Sequence, residues 1–193
     1  MHRENHNPAG NGRPKVANGH PQFDADWIRA AVQRFEGPLT AYAAHVLGGD
    51  LERARDVVQE AFLRLIGQDR QKVAPHLTEW LYTVCRNQAI DVRRKQRRME
   101  LLNDADADSA TSASPDPGAR AEIDDSMSHV LRSLRQLPKN QQECIRLKFQ
   151  GGLSYKEISE VTDLSVTNVG FLIHTGLKTL RQRLAAERRQ FGE

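Results

Sequence analysis

Residues 84–98 read VCRNQAIDVRRKQRR and place Arg86, Arg93, Arg94, Lys95, Arg97 and Arg98 against a single acid, Asp91. Five of the six residues from 93 to 98 are basic. A helix end so charged attracts phosphates by releasing their counterions, and that attraction falls steeply with salt. Guanidinium groups also grip phosphate bidentately and stack on unpaired bases. Ala89, Ile90 and Val92 anchor part of the stretch to a core. Trp80 and Tyr82 lie just before it, and core packing is the simpler role for Trp80. A solvated helix end is the plain alternative for the arginines, and the density of charge argues against it.

A second stretch, residues 151–184, reads GGLSYKEISEVTDLSVTNVGFLIHTGLKTLRQRL. Ser154 with Glu157 three residues on forms the signature of a capping box. Ile158, Val161 and Leu164 share one stripe, and a tight turn is needed at Asp163 and Leu164. Ser165 is a second N-cap, followed by Val166, Val169, Ile173, Leu177, Leu180 and Leu184 at helical spacing. This is a helix-turn-helix, whose second helix enters the DNA major groove by its first turns. Its middle is Gly170-Phe171-Leu172-Ile173, where a DNA reader usually carries Arg or Lys, and its bases arrive late at Lys178, Arg181 and Arg183. A helical hairpin in an ordinary core would show the same periodicity.

The third stretch, DVVQEAFLRL from Asp56 to Leu65, carries more apolar residues than one narrow stripe needs, with Asp56, Gln59 and Glu60 on a neighbouring face. It suits a helix that docks on a partner, and equally a core helix with a wet side. Catalytic spacing is missing: there is no phosphate-cradling glycine loop, no HExxH, and no nucleophile with a matching base. No metal site or cofactor is expected, because the histidines are scattered and Cys85 and Cys144 form no CxxC pair. Buried free thiols are the simpler reading of both cysteines.

These stretches require helices to hold them. Trp27, Ile28, Ala31, Val32 and Phe35 form one stripe, and Gly37-Pro38 is expected to interrupt it, with Pro38 opening a new helix. Leu39, Tyr42, Ala43, Val46 and Leu47 form the next, ended by Gly48-Gly49. Asp50 caps a helix that Gly67 closes. After Pro75 a long helix is expected from about Leu77 to Arg98. Residues 102–120 are rich in Asp, Ala, Ser and Pro and offer no apolar face to offset their ordering entropy. Helical periodicity resumes at Ile123, breaks at Pro138, and continues through Cys144, Ile145 and Leu147. No alternating apolar pattern of strand length occurs.

The expected fold is therefore all-α: two small helical domains joined by a flexible acidic linker, the second containing the helix-turn-helix. The boundaries are a disordered tail at 1–22, a first domain at 23–99, a linker at 100–122, a second domain at 123–187 and a short tail at 188–193. Charge partitions the same way. Residues 1–99 carry 16 basic and 11 acidic side chains, residues 100–127 carry 1 and 8, and residues 128–193 carry 11 and 6. Two basic blocks around an acidic one suggest two polyanion-binding surfaces. At 193 residues and 38% hydrophobic content the chain can bury modest cores. It has no run long and apolar enough to span a membrane, and no apolar signal core near its N-terminus, so a cytoplasmic protein without membrane insertion is expected.

Taken in order, DLERARDVVQEAFLRL, HLTEWLYTVCRNQAIDVRRKQRR, an acidic linker and LPKNQQECIRLKFQGGLSYKEISEVTDLSVTNVGFLIHTGLKTLRQRL resemble a bacterial extracytoplasmic-function sigma factor. The resemblance covers about residues 23–98 and 123–186. It implies a non-enzymatic transcription initiation factor that binds core RNA polymerase and promoter DNA. The first domain would melt and read the −10 element as single strand, and the second would read the −35 element as duplex. It further implies polymerase contacts at Asp56, Gln59, Glu60 and Phe62. Contacts to the −10 strand fall at Arg86, Asn87, Asp91, Arg93, Arg94 and Arg97. Because the recognition helix departs from the basic pattern usual in the family, the −35 contacts rest on Ser165, Thr167, Asn168, Phe171 and His174, with Lys178 and Arg181 behind them. Asn168 suits adenine and Phe171 a thymine methyl, and the amides opening the helix suit a phosphate. Phe171 and Leu172 could instead face a protein. An anti-sigma factor is the usual family partner. The competing readings are a polymerase-independent helix-turn-helix regulator and an adaptor without promoter recognition.

Overall fold

The computed structural model describes residues 25–103 and 125–190. These form eight α-helices and a 3-10 turn, and no strand occurs among the described residues. The first group is α1 (Ala25–Val46), α2 (Leu51–Ile66), the short α3 (Arg70–Val73) with the turn Ala74–His76, and α4 (Leu77–Asn103). The second is α5 (Asp125–Arg135), α6 (Lys139–Phe149), α7 (Tyr155–Thr162) and α8 (Val166–Gln190). The proposed tail at 1–22 and most of the acidic linker lie outside the described residues.

The caps fall where the sequence places them. The Asp50 carboxylate accepts from the Arg53 amide at 3.0 Å and opens α2. Ser154 and Glu157 close a complete capping box on α7, with bonds of 2.7 and 3.2 Å. Asp163 takes the left-handed conformation at φ 57° and turns the chain between α7 and α8. The Ser165 hydroxyl then accepts from the Asn168 amide at 3.2 Å. Each bond satisfies a backbone group that a helix end otherwise leaves unpaired.

Two expectations about helix length are corrected. Gly37-Pro38 does not break the first helix, and α1 runs through Pro38. Ala31, Phe35, Leu39, Tyr42 and Ala43 are all buried on it. They form one stripe across the proline, so packing against α2 and α4 outweighs the local penalty of about 3 kcal/mol for an interior proline. Gly37 and Pro38 are exposed on the opposite side. Likewise α4 continues to Asn103, beyond the expected start of the linker at residue 100.

α1, α2 and α4 pack on one another, and α8 gathers α5, α6 and α7. Gly176 lets α8 approach α6 closely, since a Cβ there would lie 2.7 Å from Ile145 Cδ1. The buried Gln142 amide donates to the carbonyls of Leu137 (2.6 Å) and Arg135 (3.0 Å), tying α6 to the end of α5. The two groups also meet, chiefly through α4 and α7. One continuous core joins Leu39, Leu81, Tyr82 and Cys85 of the first to Cys144, Leu147, Leu153 and Ile158 of the second.

Candidate polymerase and nucleic-acid surfaces

α2 buries Ala54, Val57, Val58, Ala61, Phe62 and Leu65. Asp56 and Gln59 are exposed, and Glu60 is half-buried and accepts from Arg64 Nε at 3.1 Å. Phe62 departs from the expected partner-facing set: at 8% exposure it belongs to the core of the first group, so its ring is not offered to a partner. Leu63, at 55% exposure, occupies the outer face instead. Residues 56, 59, 60 and 63 follow the i, i+3, i+4, i+7 spacing of one helix face. The surplus of apolar residues in this helix was the signal that could have found Leu63.

On α4, Asn87, Asp91, Arg93, Arg94 and Arg97 are exposed. Arg93, Arg94 and Arg97 enter no ion pair among the described residues, which leaves their charge available to an external anion. Gln96, between them, accepts from Arg53 of α2 and donates to Glu100 at 3.0 Å, steadying the far end of the helix. Arg86 stands apart from this set. Its Nε donates to Glu143 Oε1 of α6 at 2.8 Å, and the two side chains are only 17% and 18% exposed. Burial works to lower the pKa of this guanidinium, and the bond and charge of Glu143 outweigh burial and raise it. The phenol of Tyr42 donates to the same carboxylate oxygen at 2.8 Å.

Around this contact the groups are held uncharged. Burial, then the nearby Arg146, push His45 down to about 4. Burial pushes the Cys85 thiol up to about 12 and Cys144 up to about 11, and both cysteines are free. Tyr82 stands edge-on to Tyr42 with ring centroids 5.2 Å apart. Its ring lies against Gly151, where an added Cβ would come within 3.1 Å of Cζ and 2.7 Å of the Leu147 carbonyl.

On α8, Thr167, Phe171, His174, Lys178 and Arg181 are exposed, and their spacing places them on one face. Ser165 and Asn168 open that face and are bonded to each other as the helix cap. Phe171 is 65% exposed, whereas Leu172 packs against the core, so the two neighbours divide between surface and interior. A Cβ added at Gly170 would lie 3.6 Å from the Tyr155 ring of α7, an ordinary contact, and Lys148 Nζ sits 5.4 Å from the centre of that ring. Among the described residues, no helix is long and apolar enough to cross a membrane and no cluster could hold a metal.

The family model for sigma-70 region 2 matches residues 31–99, and that for sigma-70 region 4 matches residues 129–180. The chain is 31% identical to the ECF RNA polymerase sigma factor EcfG of Rhodopseudomonas palustris, over 68% of this chain and 70% of that protein. It is 30% identical to SigM of Bacillus subtilis, over 71% and 80% of the two chains. Identity to SigL of Mycobacterium tuberculosis is 28%, over 86% and 94%. Among solved structures, the fold is similar to the sigma factor RpoE of Bartonella quintana, crystallised with the anti-sigma factor NepR. That likeness has a TM-score of 0.59 at 20% identity and covers 83% of this chain and 97% of that one. A polymerase-independent regulator would need the helix-turn-helix alone and gives no reason for the region 2 match. The chain belongs to the extracytoplasmic-function sigma factors, the transcription initiation factors that bind core RNA polymerase and direct it to promoters.

Proposed function

We propose that the two groups of helices divide promoter recognition as their surfaces differ. In this reading the first domain spans 23–99 and the second 123–187. The face of α2 bearing Asp56, Gln59, Glu60 and Leu63 docks on core polymerase. The α4 face bearing Asn87, Asp91, Arg93, Arg94 and Arg97 holds the melted −10 strand. Arg86 joins it once its partner is released. The observation that carries this reading is the set of exposed, unpaired arginines near the end of α4. Separated strands need positive charge along the backbone and groups on which bases can stack.

The α8 face from Ser165 to Arg181 reads the −35 duplex. In a major groove the Asn168 amide suits adenine and the Phe171 ring a thymine methyl. Lys178 and Arg181 neutralise phosphates further along. With few charges at the start of the helix, its affinity is weak alone and is raised by attachment to the first domain and to polymerase.

The chain itself performs no catalysis, because the polymerase supplies the chemistry, and it acts in the cytoplasm. An anti-sigma factor is a fitting regulator, as in the solved RpoE–NepR complex. The test is transcription in vitro with core polymerase over a promoter library. A sigma factor yields promoter-specific transcripts that require this chain, and an adaptor yields none.

A further inference from the structure

We infer that Glu143 is an intramolecular latch that withholds Arg86 from DNA and keeps the free chain closed. The inference rests on the reading of Arg86 as a contact to the −10 strand. Three observations converge on it. Glu143 Oε1 takes two bonds across the seam between the helix groups, from Arg86 Nε and from the Tyr42 phenol, each at 2.8 Å. Both charged side chains are largely shielded from water, so neither is free to exchange its partner for solvent. The packing around them is continuous, with Tyr82 seated on the Gly151 backbone and Cys85 and Cys144 in one core.

The chemistry of the latch is substitution. A carboxylate and a phosphate offer a guanidinium the same kind of charged, bidentate-capable oxygen partner. Glu143 thus holds the Nε–H of Arg86 and neutralises its charge, so a DNA phosphate would have to compete with the carboxylate for this guanidinium. Geometry gives a second reason. Promoter elements about 25 base pairs apart are separated by roughly 85 Å at 3.4 Å per pair. Two touching domains of about 70 residues place their centres roughly 30 Å apart. The closed chain therefore cannot read both elements at once, and opening the seam both frees Arg86 and separates the domains. Removing one partner of a shielded ion pair leaves the other charge uncompensated and is strongly destabilising, so loss of Glu143 or Arg86 alone should open the seam.

The test uses the full chain without polymerase. Small-angle scattering reports closure, and a fluorescent single-stranded oligonucleotide of mixed sequence reports strand binding. Glu143→Ala and Arg86→Ala should each raise the radius of gyration by roughly 5 Å. The exposed control Asn140→Lys, which adds the same charge as Glu143→Ala, should leave it unchanged. The exchanged pair Arg86→Glu/Glu143→Arg should be compact again. Glu143→Ala should bind the strand about fivefold or more tightly than Asn140→Lys, because the competent fraction rises. A Glu143→Ala chain as compact as the parent overturns the latch and leaves the DNA role of Arg86 untouched. An expanded Glu143→Ala chain with no tighter binding than Asn140→Lys overturns the withholding of DNA. That result places the fault in the assignment of Arg86 to the strand.

Discussion

Arg86 and Glu143, 57 residues apart in the chain, meet at 2.8 Å in the seam where α4 faces the helix-turn-helix group. The two groups of helices in this sigma factor are thus joined through a residue proposed to contact the −10 strand. The consequences can be tested at the seam, at each surface and through pH.

Gly151 lies in the seam against the Tyr82 ring, where an added Cβ would come within 3.1 Å of Cζ. A side chain there would meet the Leu147 carbonyl at 2.7 Å, and a carbonyl cannot swing away as a flexible side chain would. Gly151→Ala should cost about 1–3 kcal/mol, as overpacking does elsewhere. Urea unfolding followed by circular dichroism measures it, and an unchanged midpoint would show that the chain there yields freely.

His45 gives the seam a pH dependence. Its folded pKa, about 4, lies below the ordinary value of 6.5. The unfolded chain therefore takes up a proton first as pH falls. Stability should be full above about 6.5, decline between 6.5 and 4, and level off below the folded value. His45→Gln should flatten this part of the profile. Unfolding midpoints at steps of pH would show it, and an identical slope in the variant would remove His45 as the cause.

Phe171 is exposed, so its removal should leave stability within about 0.5 kcal/mol. Promoter selection should change more. If the ring meets a thymine methyl, Phe171→Ala should remove up to the roughly 1–3 kcal/mol that one base-pair position contributes to discrimination, at a single −35 position. Transcription from promoters varied at each −35 base measures this. A uniform loss at every base would assign the ring to general contact instead.

Much of the local architecture was legible because it depends on neighbours in sequence. The caps at Asp50, Ser154 and Ser165 each accept from an amide three residues on. The helix-turn-helix follows from such bonds and from the stripes of apolar residues between them. Pro38 misled because its helical context is set by burial on α2 and α4, which no local rule contains. Phe62 and Leu63 are adjacent, and only the packing of α2 decides which is inside. The partner of Arg86 was beyond reach, since spacing along α4 says nothing of a glutamate on α6. The face of α8 could be read from spacing alone, whereas the separation of Phe171 from Leu172 needed the packed structure.

The claim most exposed to contradiction is that the α4 arginines hold the melted −10 strand. Permanganate attack on unpaired thymines, in complexes of promoter DNA with core polymerase and this chain, measures that melting directly. The parent chain should give reactive thymines at the −10 element. Arg93→Glu/Arg94→Glu should still bind core polymerase and give almost none, because reversed charge repels the strand these residues would hold. Normal thymine reactivity in that variant would contradict the account.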